Sequence, residues 1–148
     1  MKNILFFCAI TLLGFTSCSK DEQSTIDQSS YKVEISHTGD VSAFEEFINV
    51  TIFAENPGQV TVKGTPLNKG QGAEGFITYS LTGTAQNRSF ETSNKVETVL
   101  VSGIFSKSGE GGKISTTVAI YKNGYLVKKK SLDYDGTGNN ILNIGSDE

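Results

Sequence analysis

This chain has no tryptophan, one histidine, one methionine, two prolines and two cysteines. Each scarcity excludes something. Both cysteines, Cys8 and Cys18, fall within the first eighteen residues, so the remainder has no thiol for a disulfide, a metal site or nucleophilic catalysis. Stability must come from a packed core alone. A single histidine, His37, supports acid–base chemistry only if carboxylates or a serine converge on it, and no Gly-x-Ser-x-Gly elbow is present. Before Thr38-Gly39-Asp40, His37 reads as a surface or strand-end residue. Without tryptophan, no aromatic ladder for sugar stacking stands out. The formal net charge of -3 gives no reason to expect nucleic-acid binding, which needs a concentrated basic face. Lys128-Lys129-Lys130 is the one basic run; such a run reads as a blunted sheet edge, or as a contact for an acidic surface such as lipopolysaccharide.

What is present begins at the N-terminus. Lys2 precedes an uncharged apolar stretch from Ile4 to Phe15, followed by the small residues Thr16 and Ser17. A spanning helix needs about 20 apolar residues, so this shorter segment reads as an export signal. An ordinary secretory signal would leave Cys18 incidental. Phe15-Thr16-Ser17-Cys18, however, resembles the lipobox of bacterial lipoproteins, with Phe15 in place of the usual leucine. Relaxed boxes ending in Ser-Cys are familiar in Bacteroidota lipoproteins. Ser19-Lys20-Asp21-Glu22 is similar to the Lys-plus-acidic signal that exports them to the outer face of the outer membrane. The resemblance implies acylation of Cys18 as the new N-terminus. Each buried methylene contributes about 0.8 kcal/mol, and two or more acyl chains hold stably.

Cleavage after residue 17 would leave 131 of the 148 residues and, by removing Lys2, move the net charge from -3 to -4. The expected organisation is a signal peptide at 1–17, an acylated cysteine with a flexible tether at 18–30, and one domain at 31–148. The polar run from Ser19 to Ser30 could reach about 40 Å when extended.

From Tyr31 onward, short β-patterned runs alternate with turn chemistry. Tyr31, Val33 and Ile35 alternate with Lys32, Glu34 and Ser36, the period of a strand with one buried face. Phe44, Phe47 and Ile48 fit either a helical turn or the start of a strand through Ile48, Val50 and Ile52. Asn56-Pro57-Gly58 marks a turn, and Gln59 to Lys63 a brief strand. Lys69 to Gly72 reads as a loop, and Gly75 to Leu81 and Arg88 to Thr92 as strands. Val96 to Phe105 reads as a central strand covered on both faces, or one bulged at Gly103. Ser108 to Gly112 reads as a hairpin loop before Ile114, Thr116, Val118 and Ile120, which share a face. Asn123-Gly124 between β-patterned runs predicts a type I′ hairpin, with Tyr121 and Tyr125 as a cross-strand pair. A last short strand runs from Ile141 to Ile144. Eight or nine strands, sixteen glycines and few prolines predict an all-β, antiparallel β-sandwich, immunoglobulin-like or C2-like, with a small β-barrel as the alternative.

Asp133, Asp135 and Asn139 lie in a glycine-rich loop that could offer oxygens to calcium, but no third regular ligand and no closing glutamate follow, so a polar turn is the plain reading. Gly70 to Gly75 and Gly109 to Gly112 lack the ending of a phosphate loop. Glu45-Glu46 is a carboxylate pair, but glycoside hydrolysis depends on separation in space. No cofactor is implied. The expectation is a non-enzymatic lipoprotein held at the outer membrane by its lipid anchor, surface-exposed, with a β domain that binds a protein or glycan partner. A periplasm-facing lipoprotein, a carboxylate-based glycan hydrolase and a structural subunit of a surface assembly are the alternatives.

Overall fold

The structure is a computed structural model in which residues 29–65 and 68–147 are described. Ten strands run in chain order: β1 (Tyr31–Gly39), β2 (Phe44–Phe53), β3 (Val62–Gly64), β4 (Asn68–Ala73), β5 (Phe76–Thr84), β6 (Arg88–Thr92), β7 (Thr98–Lys107), β8 (Ile114–Lys122), β9 (Tyr125–Tyr134) and β10 (Ile141–Gly145). They form two five-stranded antiparallel sheets, ordered β3-β6-β1-β8-β9 and β10-β7-β2-β5-β4, which face each other as a sandwich. The predicted sandwich is therefore the observed fold. Only β4–β5 and β8–β9 are hairpins; every other connection crosses from one sheet to the other.

Period-two patterning explains the burial. Tyr31, Val33 and Ile35 of β1 point inward, as do Ile48, Val50 and Ile52 of β2 and Val99, Val101 and Phe105 of β7. These side chains form one continuous core between the sheets. The buried Tyr31 ring keeps its hydroxyl satisfied by donating to the Glu97 carbonyl at 2.7 Å. A smaller cluster of Ala43, Phe44, Ala85 and Ile114 closes one end.

Strand register divides the sandwich into two ends. Connections 40–43, 85–87, 108–113 and 135–140 gather at one, here the loop end. Connections 54–61, 93–97 and 123–124 gather at the other, here the hairpin end. Asn123 and Gly124 both take positive φ, 51° and 86°, as a type I′ turn requires.

Several local expectations are corrected. Phe44 begins β2 directly, after a single 3-10 turn at Val41–Ala43, so strand period replaces helical period and Phe47 faces outward. Lys69 to Gly72 lies within β4, whose backbone pairs with β5 through a bulge. β3 is confined to Val62–Gly64 because Pro57–Gln59 forms a 3-10 turn. Ser108 to Gly112 is an arch between sheets, not a hairpin, because β7 and β8 belong to different sheets. Tyr121 faces Leu126, and Tyr125 faces Lys122, so the two tyrosines are not paired across the turn.

Gly103 does not mark a bulge. β7 runs in unbroken register with β2 and β10, burying one face only, and Gly103 sits inward opposite Ile48 and Leu142. A β-carbon there would lie 3.2 Å from the edge of the Phe105 ring and 3.5 Å from Ile48. The glycine makes room for Phe105. Gly103→Val is therefore expected to overpack the core and cost about 1–3 kcal/mol, read as a lowered urea midpoint at unchanged m-value.

Candidate functional site

Four inward positions toward the loop end carry polar rather than apolar side chains: His37 on β1, Glu46 on β2, Arg88 at the start of β6 and Thr116 on β8. Each continues an inward row of its strand, so the same alternation that builds the core also buries these groups. Glu46 comes from one sheet and the other three from the facing sheet. Its carboxylate lies 3.1 Å from His37 Nε2 and 2.9 Å from Arg88 Nη1, with all three side chains nearly or fully enclosed. Arg88 and Glu46 form an ion pair, and neither contact has the alignment of a hydrogen bond. On its other nitrogen, His37 Nδ1 is 2.9 Å from the Thr116 hydroxyl, and the Phe105 ring packs edge-on against the imidazole at 6.3 Å. The His37 backbone N–H donates to Asn87 Oδ1 at 2.6 Å. The Ala43–Phe44–Ala85–Ile114 cluster packs at the same end of the sandwich.

The histidine expected at the surface or at a strand end lies near the end of β1 but is only 7% exposed, held against the Glu46 carboxylate of the facing sheet. His37 and Thr116 are directly opposed across β1 and β8, which fixes their contact. Glu46 had been visible only as half of an acidic pair, and Arg88 only as the start of a strand. The structure places Glu45 outward and exposed, so the two glutamates do not converge.

A groove of about 390 Å³ opens where β3 stops, lined by Glu34, Ser36, Thr65, Asn87, Arg88 and Ser89 among others. Arg88 is shared between this groove and the buried bridge. Among the described residues, Glu34 is the one carboxylate lining it. A hydrogen bond from Lys32, followed by one from the Tyr121 hydroxyl, holds the Glu34 carboxyl below its usual range. Both contacts are direct, at 2.8 and 3.1 Å. The lining of hydroxyl, amide, guanidinium and carboxylate groups can hydrogen-bond a polar ligand, but it does not oppose two carboxylates across the opening.

The other candidates separate. Asp133 and Asp135 line a shallow hollow of about 190 Å³ with Lys113, Tyr134 and Thr137. Asp135 Oδ1 accepts from both the hydroxyl and the backbone N–H of Thr137, at 2.7 and 2.9 Å, and those bonds hold its carboxyl below the usual range. Asn139 instead turns to the backbone of Ile141. Among the described residues, no three His, Cys, Asp or Glu side chains come together as a metal site. The lysine run lies on β9, the edge of its sheet, with Lys130 Nζ donating to the Asn143 carbonyl of the facing sheet at 2.8 Å. Cys18, Ser19, Lys20, Asp21 and Glu22 lie outside the described residues.

The bridge predicts a particular pattern of mutational cost. Arg88→Met would strand a buried carboxylate and is expected to cost about 3–5 kcal/mol. The combined change His37→Leu, Glu46→Leu and Arg88→Met removes every charge at once and should cost less than Arg88→Met alone. Urea unfolding of both variants measures this; equal or additive losses would contradict the assignment.

Comparison with solved structures supports the architecture. The calcium-bound form of a protein from Parabacteroides distasonis, solved by NMR, matches at TM-score 0.54 and 20% identity, over 80% of this chain and 92% of that one. A DUF4425-family protein from Bacteroides ovatus matches at TM-score 0.56 and 16% identity, over 82% and 98%. A DUF4425 domain of unknown function from Bacteroides vulgatus matches at TM-score 0.53 and 23% identity, over 80% and 94%. At these identities the likeness establishes the fold. No curated protein matches the chain. The model of one family spans residues 1–143: the chain belongs to the PLAT/LH2 and C2-like Ca2+-binding lipoproteins.

Proposed function

We propose that the mature chain is a non-enzymatic lipoprotein, acylated at Cys18 and held at the outer membrane, whose sandwich binds a protein or glycan partner at the cell surface. The observation that carries this reading is where the reactive groups sit. The Glu46 carboxylate is paired inside the sandwich with the Arg88 guanidinium, and the His37 imidazole is buried against it. Among the described residues, the accessible groove beside them is lined by hydroxyls, an amide, the Arg88 guanidinium, Ile35 and one carboxylate, a lining suited to hydrogen-bonding a polar ligand. Membership of a lipoprotein family and the sequence around Cys18 both support the anchor.

Calcium, named in the family's description and in one solved relative, needs several oxygen ligands drawn together. The residues present at 133–139 do not fit it. Asp135 is turned onto Thr137, Asn139 onto Ile141, and Lys113 shares the hollow. Lys107 Nζ adds a second positive charge by donating to the Asp135 carbonyl at 3.1 Å. No role is assigned to calcium at this loop.

Two measurements test these readings. Metabolic palmitate labelling is expected to mark the wild-type chain and not Cys18→Ala, and protease added to intact cells is expected to remove the domain. An unlabelled, soluble periplasmic product would overturn the anchor. In calorimetric titration, the 133–139 loop is expected to contribute no calcium binding. A heat of binding that disappears in both Asp133→Asn and Asp135→Asn would restore it as a calcium site.

A further inference from the structure

The hairpin end of the sandwich carries a surface that the core does not need. Tyr125, Leu126 and Val127 follow the Asn123-Gly124 turn directly and are 79, 54 and 39% exposed. A bulge explains why three consecutive apolar residues face solvent. Ile120 pairs with Lys128 and Tyr121 with Leu126, so Val127 is left without a partner and alternation fails there. Lys128, Lys129 and Lys130 follow at once, and Lys122 precedes the turn. From Tyr121 to Leu132 there is no carboxylate. The tip is therefore an apolar patch whose own hairpin, from Tyr121 to Leu132, carries only lysines as charges, with Glu34 bonded to Tyr121 and Glu91 beside Gly124 on the neighbouring strands. Apolar residues next to lysines fit an interface whose outer layer is anionic and whose interior is apolar.

The route of the chain places this tip. The described N-terminal residues are fastened to the same turn. Ser30 N–H donates to Asn123 Oδ1 at 3.0 Å, Asn123 N–H to the Ser30 carbonyl at 2.9 Å, and Asn123 Nδ2 to Ser29 Oγ at 3.2 Å. Ser29 also exchanges two backbone bonds with Val96. Eleven residue steps separate Ser29 from Cys18, at most about 40 Å of fully extended chain. A domain acylated at Cys18 is thus leashed at its hairpin end. The leash gives that end a high effective concentration at the bilayer.

From this juxtaposition we infer that the 122–130 hairpin is a second membrane contact: Tyr125, Leu126 and Val127 enter the headgroup boundary of the bilayer that holds the anchor, and Lys129, on the outer face of β9, meets its anionic headgroups. The inference deepens the reading of an acyl-anchored domain and rests on it for orientation. Docking by this end turns the loop end, with the groove beside Arg88 nearer to it, away from the bilayer.

Because the chain has no tryptophan, Tyr125→Trp supplies a single reporter at the tip, and Phe47→Trp supplies one on the outer face of the other sheet, toward the loop end. Each full-length acylated protein is reconstituted into vesicles of phosphatidylcholine and phosphatidylglycerol with acyl chains brominated on the lipid. The expected result is loss and blue shift of emission at position 125, with emission at position 47 unchanged. Raising the salt, or Lys129→Gln, is expected to reduce the loss; each surface charge removed weakens the contact about five-fold. Unquenched emission at 125, or equal quenching at both positions, overturns the inference. So does a tip that is exposed on vesicles but shielded in native envelopes, the signature of a protein partner. Palmitate labelling of the same preparations reads the anchor separately. Labelled protein with an unquenched tip refutes the hairpin contact alone, whereas unlabelled protein that still docks on added vesicles refutes the anchor alone.

Discussion

The fold turns on one buried carboxylate. Glu46 is enclosed between the sheets, where an unpaired charge is prohibitively costly, and its two partners both come from the facing sheet. The apolar core alone would tolerate many slightly shifted packings of one sheet on the other. An ionic contact between Glu46 and Arg88 at 2.9 Å tolerates far fewer. With Thr116 on the far nitrogen of His37 and Asn87 on its backbone N–H, the bridge spans β1, β2, β8 and the start of β6. The same contacts explain why the molecule's only histidine is unavailable for surface chemistry. The groove wall inherits its order from this arrangement, because Arg88 belongs to both.

Much of the architecture was legible in the alternation of residues. The Ile114–Ile120 row, the Asn123-Gly124 turn and the sandwich itself follow from period-two patterning and turn chemistry, which act locally. What was not legible depended on knowing which strand faces which. A glycine-rich segment such as 108–112 looks the same whether it joins neighbours in one sheet or arches between two. Gly103 carried the same ambiguity, since a glycine that bends a strand and a glycine that vacates space for Phe105 are identical in sequence.

The bridge was hidden for a related reason. His37 extends the Tyr31–Val33–Ile35 row, Glu46 lies two residues before Ile48, Arg88 two before Phe90, and Thr116 between Ile114 and Val118. Carried one step further, each apolar row would have marked a polar residue as inward. Polar identity argued the opposite, because a charged residue is rarely buried unless paired. The missing information was the pairing itself, which exists only once both sheets are assembled. The anchor shows the converse: Cys18 is conspicuous in the sequence, while the residues around it lie outside those the structure describes.

The lysines of β9 hold two roles at once, and their register shows how. Lys128 and Lys130 stand opposite Ile120 and Val118, on the inward side of an edge strand, where the gap between β9 and β10 leaves the sandwich open. Inward charges on an edge disfavour pairing with another chain, and Lys130 secures the gap by reaching the Asn143 carbonyl. Lys129, opposite Ala119, points outward and has no such duty. A run of three identical residues is therefore divided by the pleat: two positions guard the edge of the sheet, and one projects from its outer face. Edge protection needs charge but no apolar neighbour, so it accounts for Lys128 and Lys130 and leaves Tyr125, Leu126, Val127 and Lys129 unexplained. Placing these residues beside the point where the chain enters the domain gives them a purpose that the edge alone does not.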